Sequence, residues 1–223
     1  MKIDLHTHTH YSDDAVNSPE QLVRVAKQKG LDCLAVTDHD TTRAWAHVKK
    51  AGRKHGLEII QGEEVKVFHD GSRIGEVIGL FLNDEIEAGE FTEVRDNVKS
   101  QGGTLVVVHP FDIFRIPFRM LEQYKRDFDA VEVFNARAII NRINNQAMAF
   151  ARRNRLAMVA GSDAHCSLEI GNAYTVADIS SAEELSAAIM NRKTRAFGIK
   201  TNPVIHTVST MTKLGLLKRG GRP

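Results

Sequence analysis

The sequence predicts an α/β fold in a single domain, with a parallel sheet closed into a barrel rather than left open. Three observations carry that prediction. Short apolar, β-branched runs alternate with longer helix-spaced patterns about seven times. The alternation occupies 223 residues with 42% hydrophobic content, enough for one well-buried domain and short for two. Imidazoles and carboxylates recur directly after the strand-like runs, at the rim where a parallel barrel gathers its functional groups. An open doubly wound sheet is the competing arrangement.

Strands are expected over residues 2–5, 32–37, 57–68, 74–82, 104–108, 130–134, 156–160 and 172–176. Helices are expected over 18–29, 42–55, 90–101, 118–125, 137–154 and 181–191. Ser18-Pro19-Glu20 opens the first helix with a capping hydroxyl and a proline at the first helical position. Gly30 and Gly56 fall where the first two helices should stop. The stretch from Val65 to Leu82, with Asp70-Gly71-Ser72 at its centre, reads as a β-hairpin excursion from the βα repeat. The helix beginning at Arg137 lines up Ile140, Ile143, Asn144, Ala147 and Ala151 on roughly one face. Ser181-Ala182-Glu183-Glu184 resembles a capping box. Residues 1–199 make the domain and 200–223 a basic tail. In that tail Val204, Val208, Met211 and Leu214 or Gly215 recur at the spacing of a docking helix, and Lys218 to Arg222 read as a frayed end.

Composition narrows the partners. The formal net charge is +2, but residues 200–223 carry five basic and no acidic side chains, leaving −3 on residues 1–199. The body is therefore not a general polyanion binder. No run approaches the ~18 apolar residues of a membrane span, and the start has no signal-peptide core. Two cysteines, Cys33 and Cys166, suit a reduced, cytoplasmic setting without a disulfide framework. Aromatics are only 6%, which argues against a stacking platform for long single strands.

The placement of histidine carries the functional argument. His6 and His8 follow Ile3-Asp4-Leu5, with Asp13 shortly after. Asp38-His39 follows Leu34-Ala35-Val36-Thr37, and Glu63-Glu64 follows Ile59-Ile60-Gln61-Gly62. His109 follows Leu105 to Val108, Asn135 follows Val131 to Phe134, and Asp163 and His165 follow Met158 to Ser162. Such a nitrogen and oxygen set, without thiolates, suits zinc, manganese or iron. His6 and His8 lie two apart on extended chain and point the same way, so both can hold one ion. Glu64 has two oxygens and can bridge two. Glu63 should face the opposite side of its strand. Asp38 and Asp40 are expected to orient His39, Asp14 to shape the turn after Asp13, and Glu132 to be buried and hydrogen-bonded. His10 is expected near the site, and His47, His55, His69 and His206 on the surface.

These residues resemble a known pattern. Asp4-Leu5-His6-Thr7-His8-Thr9-His10-Tyr11-Ser12-Asp13, Thr37-Asp38-His39, Gly62-Glu63-Glu64, His109-Pro110 and Gly161-Ser162-Asp163-Ala164-His165 resemble the motifs of the polymerase and histidinol phosphatase (PHP) superfamily. The resemblance implies a distorted (β/α)7, TIM-like barrel with two or three divalent ions. It implies that His6, His8, Glu64 and Asp163 hold one ion, Glu64 and His109 a second, and Asp13, His39 and His165 a third. Where the family often carries a histidine between the second and third motifs, this chain has Glu76 within Gly75-Glu76-Val77-Ile78-Gly79-Leu80-Phe81, which makes Glu76 a candidate ligand of the second ion.

The expected chemistry is hydrolysis of phosphate esters, with a metal-bridging hydroxide attacking phosphorus in line. Asp163 and His165 are the candidate proton handlers. Arg137, Arg43 and Arg115 are the candidate phosphate-binding cations. The expected substrate is a small phosphorylated molecule, nucleotides first. An exonuclease on short oligonucleotides and a histidinol phosphate phosphatase are the alternatives. A metal-free binding scaffold is disfavoured, because so many polar groups would be costly to keep together without a ligand.

Overall fold

The computed structural model describes residues 1–216. Strands β1 (Lys2–Asp4), β2 (Cys33–Val36) and β3 (Glu58–His69) are adjacent and parallel, joined through helices α1 (Pro19–Gln28) and α2 (Trp45–His55). The local signals behave as the sequence predicts. The Ser18 hydroxyl accepts from the Gln21 amide at 3.2 Å, and Gly56 ends α2 in the left-handed region at φ 63°.

At Asp70 and Gly71 the chain turns through two residues with positive φ, the geometry that matches the twist of a tight hairpin. The returning strand β4 (Ser72–Leu80) is no excursion. It lies in the barrel wall, antiparallel to β3 on one side and to β6 (Thr104–Val107) on the other. A two-residue strand, β5 (Gly89–Glu90), pairs with β3 and leads into α3 (Phe91–Ser100). Strands β6, β7 (Ala130–Asn135) and β8 (Ala157–Gly161) resume the parallel pattern, with α4 (Leu121–Tyr124) and α5 (Asn141–Asn154) between them. Strand β9 (Ala173–Ala177) runs antiparallel to β1 and to β10 (Thr194–Gly198), which is reached through a 3-10 turn at Ala182–Glu184 and α6 (Leu185–Met190).

The path β10-β9-β1-β2-β3-β4-β6-β7-β8 makes nine strands of a nearly closed barrel. The Thr175 hydroxyl in β9 bridges the seam. It accepts from Ala160 N at 2.8 Å and donates to Ala160 O at 3.1 Å in β8. Thr194 of β10 likewise donates to Met158 O at 2.9 Å.

Strand parity separates two cores. Leu34, Val36, Val65, Val107 and Val131 face outward against Leu22, Val48, Phe91 and Phe150 on the helices. Ile3, Cys33, Ala35, Ile60, Ile78, Val106 and Ala130 face inward, where Leu185 and Ile189 of α6 close one end. Cys33 and Cys166 are both buried and free.

Other expectations are corrected. The helix expected at 118–125 is one turn, and that expected from Arg137 begins only at Asn141, so Arg137 sits in the β7–α5 loop. Ser181 makes no capping bond, and the segment starts as a 3-10 turn. Beyond β10, Pro203–His206 form a 3-10 turn and α7 spans Thr207–Lys213. This helix docks through Ser209 and Thr212, leaving Val204 and Leu214 about 70% exposed. The expected apolar docking face is therefore the outer face. The frayed end expected at Lys218 to Arg222 lies outside the described residues. Among the described residues no helix is long and apolar enough to cross a membrane.

Candidate metal centre

The inward rows of the barrel change character from floor to mouth. In β3 the series Ile60, Gly62 continues to Glu64; in β4 Leu80, Ile78 continues to Glu76; in β7 Ala130 continues to Glu132. Period-two alternation thus carries three carboxylates to the mouth, all buried. Glu63 has the opposite parity and points away, accepting from Ile86 N at 2.9 Å.

The chain beyond β1 and the chain beyond β8 run side by side. Asp163 N donates to His6 O at 2.7 Å, His8 N donates to Ala164 O at 3.0 Å, and Thr7 bridges Ala164 in parallel. This brings the first and last motifs together. Glu64 lies at the centre. Its Oε1 is 3.0 Å from His109 Nε2, and its Oε2 is 3.0, 3.2 and 3.4 Å from His39 Nδ1, His6 Nε2 and His8 Nε2. Asp163 Oδ1 lies 3.4 Å from His8 Nε2 and 3.6 Å from His6 Nε2. Glu76 Oε2 is 3.8 Å from His109 Nε2, while its other oxygen accepts from Arg73 at 2.6 Å.

Three of the rings are oriented through Nδ1. His6 Nδ1 donates to Glu132 Oε1 at 2.9 Å, His8 Nδ1 to the Ser12 hydroxyl at 3.3 Å, and His165 Nδ1 to Asp163 O at 2.8 Å. In the neutral ring each arrangement presents an Nε2 lone pair to the cluster, the tautomer a metal ligand needs; at His6 an arriving cation would displace the Nε2 proton. The residues fit a metal by a further criterion. His8 Nε2, Asp14 Oδ1 and Asp163 Oδ1 are buried without a hydrogen-bond partner among the described residues. Each such orphan costs about 1–3 kcal/mol unless a ligand satisfies it. Ligand atoms of His6, His8 and Asp163, of His6, Glu64 and His109, of His8, His39 and His165, and of His39, Glu64 and Glu76 fall in groups tight enough to share an ion.

Electrostatics agree. Burial opposes charge on His6, yet Asp163, Glu64 and Glu132 outweigh it and hold the ring well above its ordinary value. Glu64 and Asp14 do the same for His39. Burial dominates at His8 and His165, pushing both down to about 4, with His39 adding at the first and Arg137 at the second. Asp163 is buried but held well below the carboxylate range by Arg115 and His6. The uncharged His8 and His165 rings keep their lone pairs available to a cation, and the buried carboxylates supply the opposite charge. Asp163 and His109 also adopt φ of 56° and 30°, backbone conformations that L residues rarely take.

The structure divides the acids after Ser12 differently from expectation. Asp13 is exposed on the cavity wall. Its neighbour Asp14 is buried, 3.2 Å from His165 Nε2 and 3.6 Å from His39 Nε2. Asp38 does not touch the His39 ring. It accepts from Thr9 N, the Thr9 hydroxyl and the Ser12 hydroxyl, and Ser12 in turn accepts from His39 N. Asp40 instead pairs with Lys66. Glu132 orients His6 and also accepts from His109 N and Asn135 Nδ2. His10 is buried beside Tyr11. His47, His55 and His69 lie away from the cluster, against Tyr11, Glu20 and Tyr124.

A cavity of about 1280 Å³ opens above the cluster, lined by His39, His165, Asp14 and Glu76. All three candidate arginines reach it. Arg115 Nη1 is 2.6 Å from Asp163 Oδ2, so it already serves a cluster carboxylate. Arg137 is buried, ion-paired with Glu169 at 3.3 Å and donating to Ser209 Oγ at 2.9 Å. Arg43 lies over the Tyr11 ring at 5.4 Å, bonds Thr41 Oγ1 and has no carboxylate partner among the described residues. His206, Ser209 and Lys213 of the tail also line this cavity, a placement that no motif or spacing announces. His206, expected on the surface, is half-buried there, pushed down to about 4 by burial and then Arg137 and Arg115.

Known proteins resemble this chain in sequence and in fold. The PHP domain family matches residues 4–131, and the PHP-associated family matches residues 141–194. An uncharacterised protein of Methanocaldococcus jannaschii is 36% identical over 161 residues, covering 66% of this chain and 90% of its own. The PolC-type DNA polymerase III of Oceanobacillus iheyensis is 31% identical over 144 residues, covering 58% of this chain but 10% of the polymerase. In structure, a two-domain protein of Bacteroides vulgatus containing a PHP-like metal-dependent phosphoesterase superposes with a TM-score of 0.73 at 21% identity, over 89% of this chain and 65% of that one. The first match alone spans more than half of the sequence and includes four of the five histidines of the cluster, so the chain belongs to the PHP domain family.

Proposed function

We propose that this phosphoester hydrolase acts on small phosphorylated molecules, nucleotides first among them, at a centre of two or three divalent ions. One observation carries the reading: five imidazoles and the carboxylates of Asp14, Glu64, Glu76 and Asp163 converge at the base of one open cavity. His6, His8, Asp163 and Glu64 would hold the first ion, and Glu64, His109 and Glu76 the second. His39, His165 and Asp14, in place of Asp13, would hold the third. The mixed imidazole and carboxylate set suits manganese, iron or zinc. Bound there, such ions supply Lewis acidity toward phosphoryl oxygens and activate water.

The protein's own groups do the rest. Glu132, Ser12 and the Asp163 carbonyl keep the Nδ1 protons of His6, His8 and His165 fixed, so each ring presents the same face throughout. Asn135 and Arg115 occupy Asp163 Oδ2, leaving Oδ1 toward the cluster. Asp163 and His165 are the groups proposed to handle the proton. Arg43, without a carboxylate partner among the described residues, is the first candidate to meet the substrate phosphate, ahead of Arg115 and Arg137.

Two rings, one half-buried and one exposed, support a nucleotide. Tyr11 and Phe114 line the cavity mouth, and Phe114 is 58% exposed on the loop before α4. A base stacked there would stand above a phosphate at the cluster. Hydrolysis of short oligonucleotides is the second reading, favoured by the likeness to a PolC-type polymerase; histidinol phosphate is a third substrate to try. The experiment is a screen of nucleoside monophosphates, nucleoside bisphosphates, histidinol phosphate and short oligonucleotides with manganese, iron or zinc. Metal-dependent phosphate release from mononucleotides is expected. Turnover of oligonucleotides alone would favour the second reading, and no turnover with any metal would remove both.

A further inference from the structure

The segment after β10 has no part in the centre described above, yet it is built against it. Thr201 N donates to Ala136 O at 2.7 Å, and Asn172 Nδ2 donates to Thr201 Oγ1 at 3.0 Å. The Ser209 hydroxyl accepts from Arg137 at 2.9 Å. These bonds explain why α7 turns a polar face inward: that face covers a polar cavity, not an apolar core. On the same side the Lys213 ammonium lies 3.0 Å from Asp14 Oδ2, and His206 Nε2 is buried without a partner among the described residues.

We propose that residues Pro203–Lys213 are a substrate-gripping wall of the metal cavity, in which Lys213 is a further cation, beside the arginines, that binds the phosphate of the substrate. The proposal rests on the phosphoester reading of the same cavity. Its physical basis is competition for Asp14. That carboxylate already faces His39 and His165, and its Oδ2 lies 3.2 Å from His165 and 3.0 Å from Lys213. A divalent ion held by the two imidazoles outcompetes a monovalent ammonium for the carboxylate and repels it. Lys213 has a flexible four-carbon stem and a side chain 62% exposed, so the freed ammonium can swing while staying over the cavity. Four cluster carboxylates against two or three divalent ions leave the centre neutral to doubly positive, a setting that draws a phosphate dianion to the ions and beneath Lys213. His206 Nε2 offers that anion a neutral hydrogen-bonding neighbour.

The test is calorimetric titration of inorganic phosphate into the manganese-loaded full chain and its Lys213→Ala and Lys213→Arg variants, with metal content and melting temperature measured alongside. Expected is a loss of about tenfold in phosphate affinity for Lys213→Ala, the size of one charge-assisted contact, with most of it restored by Lys213→Arg and metal content unchanged. Phosphate affinity equal to that of the native chain in Lys213→Ala overturns the proposal. So does a native chain that binds no phosphate at millimolar concentration. A melting temperature that falls while phosphate affinity stays the same makes Lys213 a strap that only fastens α7. If phosphate binding depends on Lys213 while no ester is cleaved, this inference stands and the hydrolytic reading falls.

Discussion

Asp13 and Asp14 are neighbours of one residue type, and only the loop's path tells them apart. The structure turns Asp14 onto His39 and His165 and leaves Asp13 at the cavity wall. Asp14→Asn should therefore release about one ion per chain and lower turnover at least about tenfold, whereas Asp13→Asn should retain its metal. Elemental analysis of the two purified variants decides it, and the opposite pattern would restore Asp13. Strand residues were easier to read than loop residues, because alternation fixes their faces: Glu64 and Glu63 separate by parity, while no periodicity governs residues 9–17. Glu63 carries its own prediction. Burial, reinforced by Glu85, Asp40 and Asp38, raises its carboxyl to about 8, against the Ile86 amide that lowers it. With its folded value above the unfolded 4.5, its stabilising contribution is whole below about 4.5 and is lost as pH rises through about 8. Glu63→Gln keeps the neutral form at every pH. Its melting temperature relative to the native chain should climb between pH 6 and 9 by on the order of 5 °C. A difference that stays flat across that range would contradict the raised value.

Elements place these residues, and one glycine shows how tightly. Gly161 ends β8 against the chain beyond β1, and a Cβ there would lie 2.3 Å from His6 Cβ and 2.9 Å from His6 N. Neither neighbour is the far end of a flexible side chain, so the strands must separate. Gly161→Ala should cost about 1–3 kcal/mol in denaturant unfolding and weaken metal binding by moving His6. Native stability with native metal affinity would show that the contact is slack. The βα repeat, Ser18, Gly56 and the Asp70-Gly71 turn were all legible, because each rests on local chemistry. Three things were not. The turn signal announces a hairpin but not that β4 enters the wall between β3 and β6. Strand β10 ends the sheet path, pairs among the described residues with β9 alone and has an exposed Arg195, so it lacks the apolar run of a central strand. The apolar spacing in the tail identified a helix and misassigned its buried side, since a helix that covers a charged cavity buries hydroxyls.

At the scale of the whole molecule, the barrel holds buried acids and imidazoles whose mutual pairing leaves polar atoms over that a cation would satisfy. Chelation should therefore lower stability as well as abolish turnover. An ion present at a hundred times its dissociation constant adds about 2.7 kcal/mol, so removing it should drop the melting temperature by about 5–10 °C, reversibly on adding manganese. A melting temperature indifferent to chelator would mean that the centre stands without metal. The joining of the chain beyond β1 to the chain beyond β8 has a consequence in time. During synthesis the opening motif leaves the ribosome long before Asp163 and His165 exist to meet it. The first and third ions, which need Asp163 and His165, must wait until the last parallel strand has docked, so filling of those two sites reports the moment of barrel closure, and a half-made chain lacks the complete centre with which to attack the phosphoesters around it.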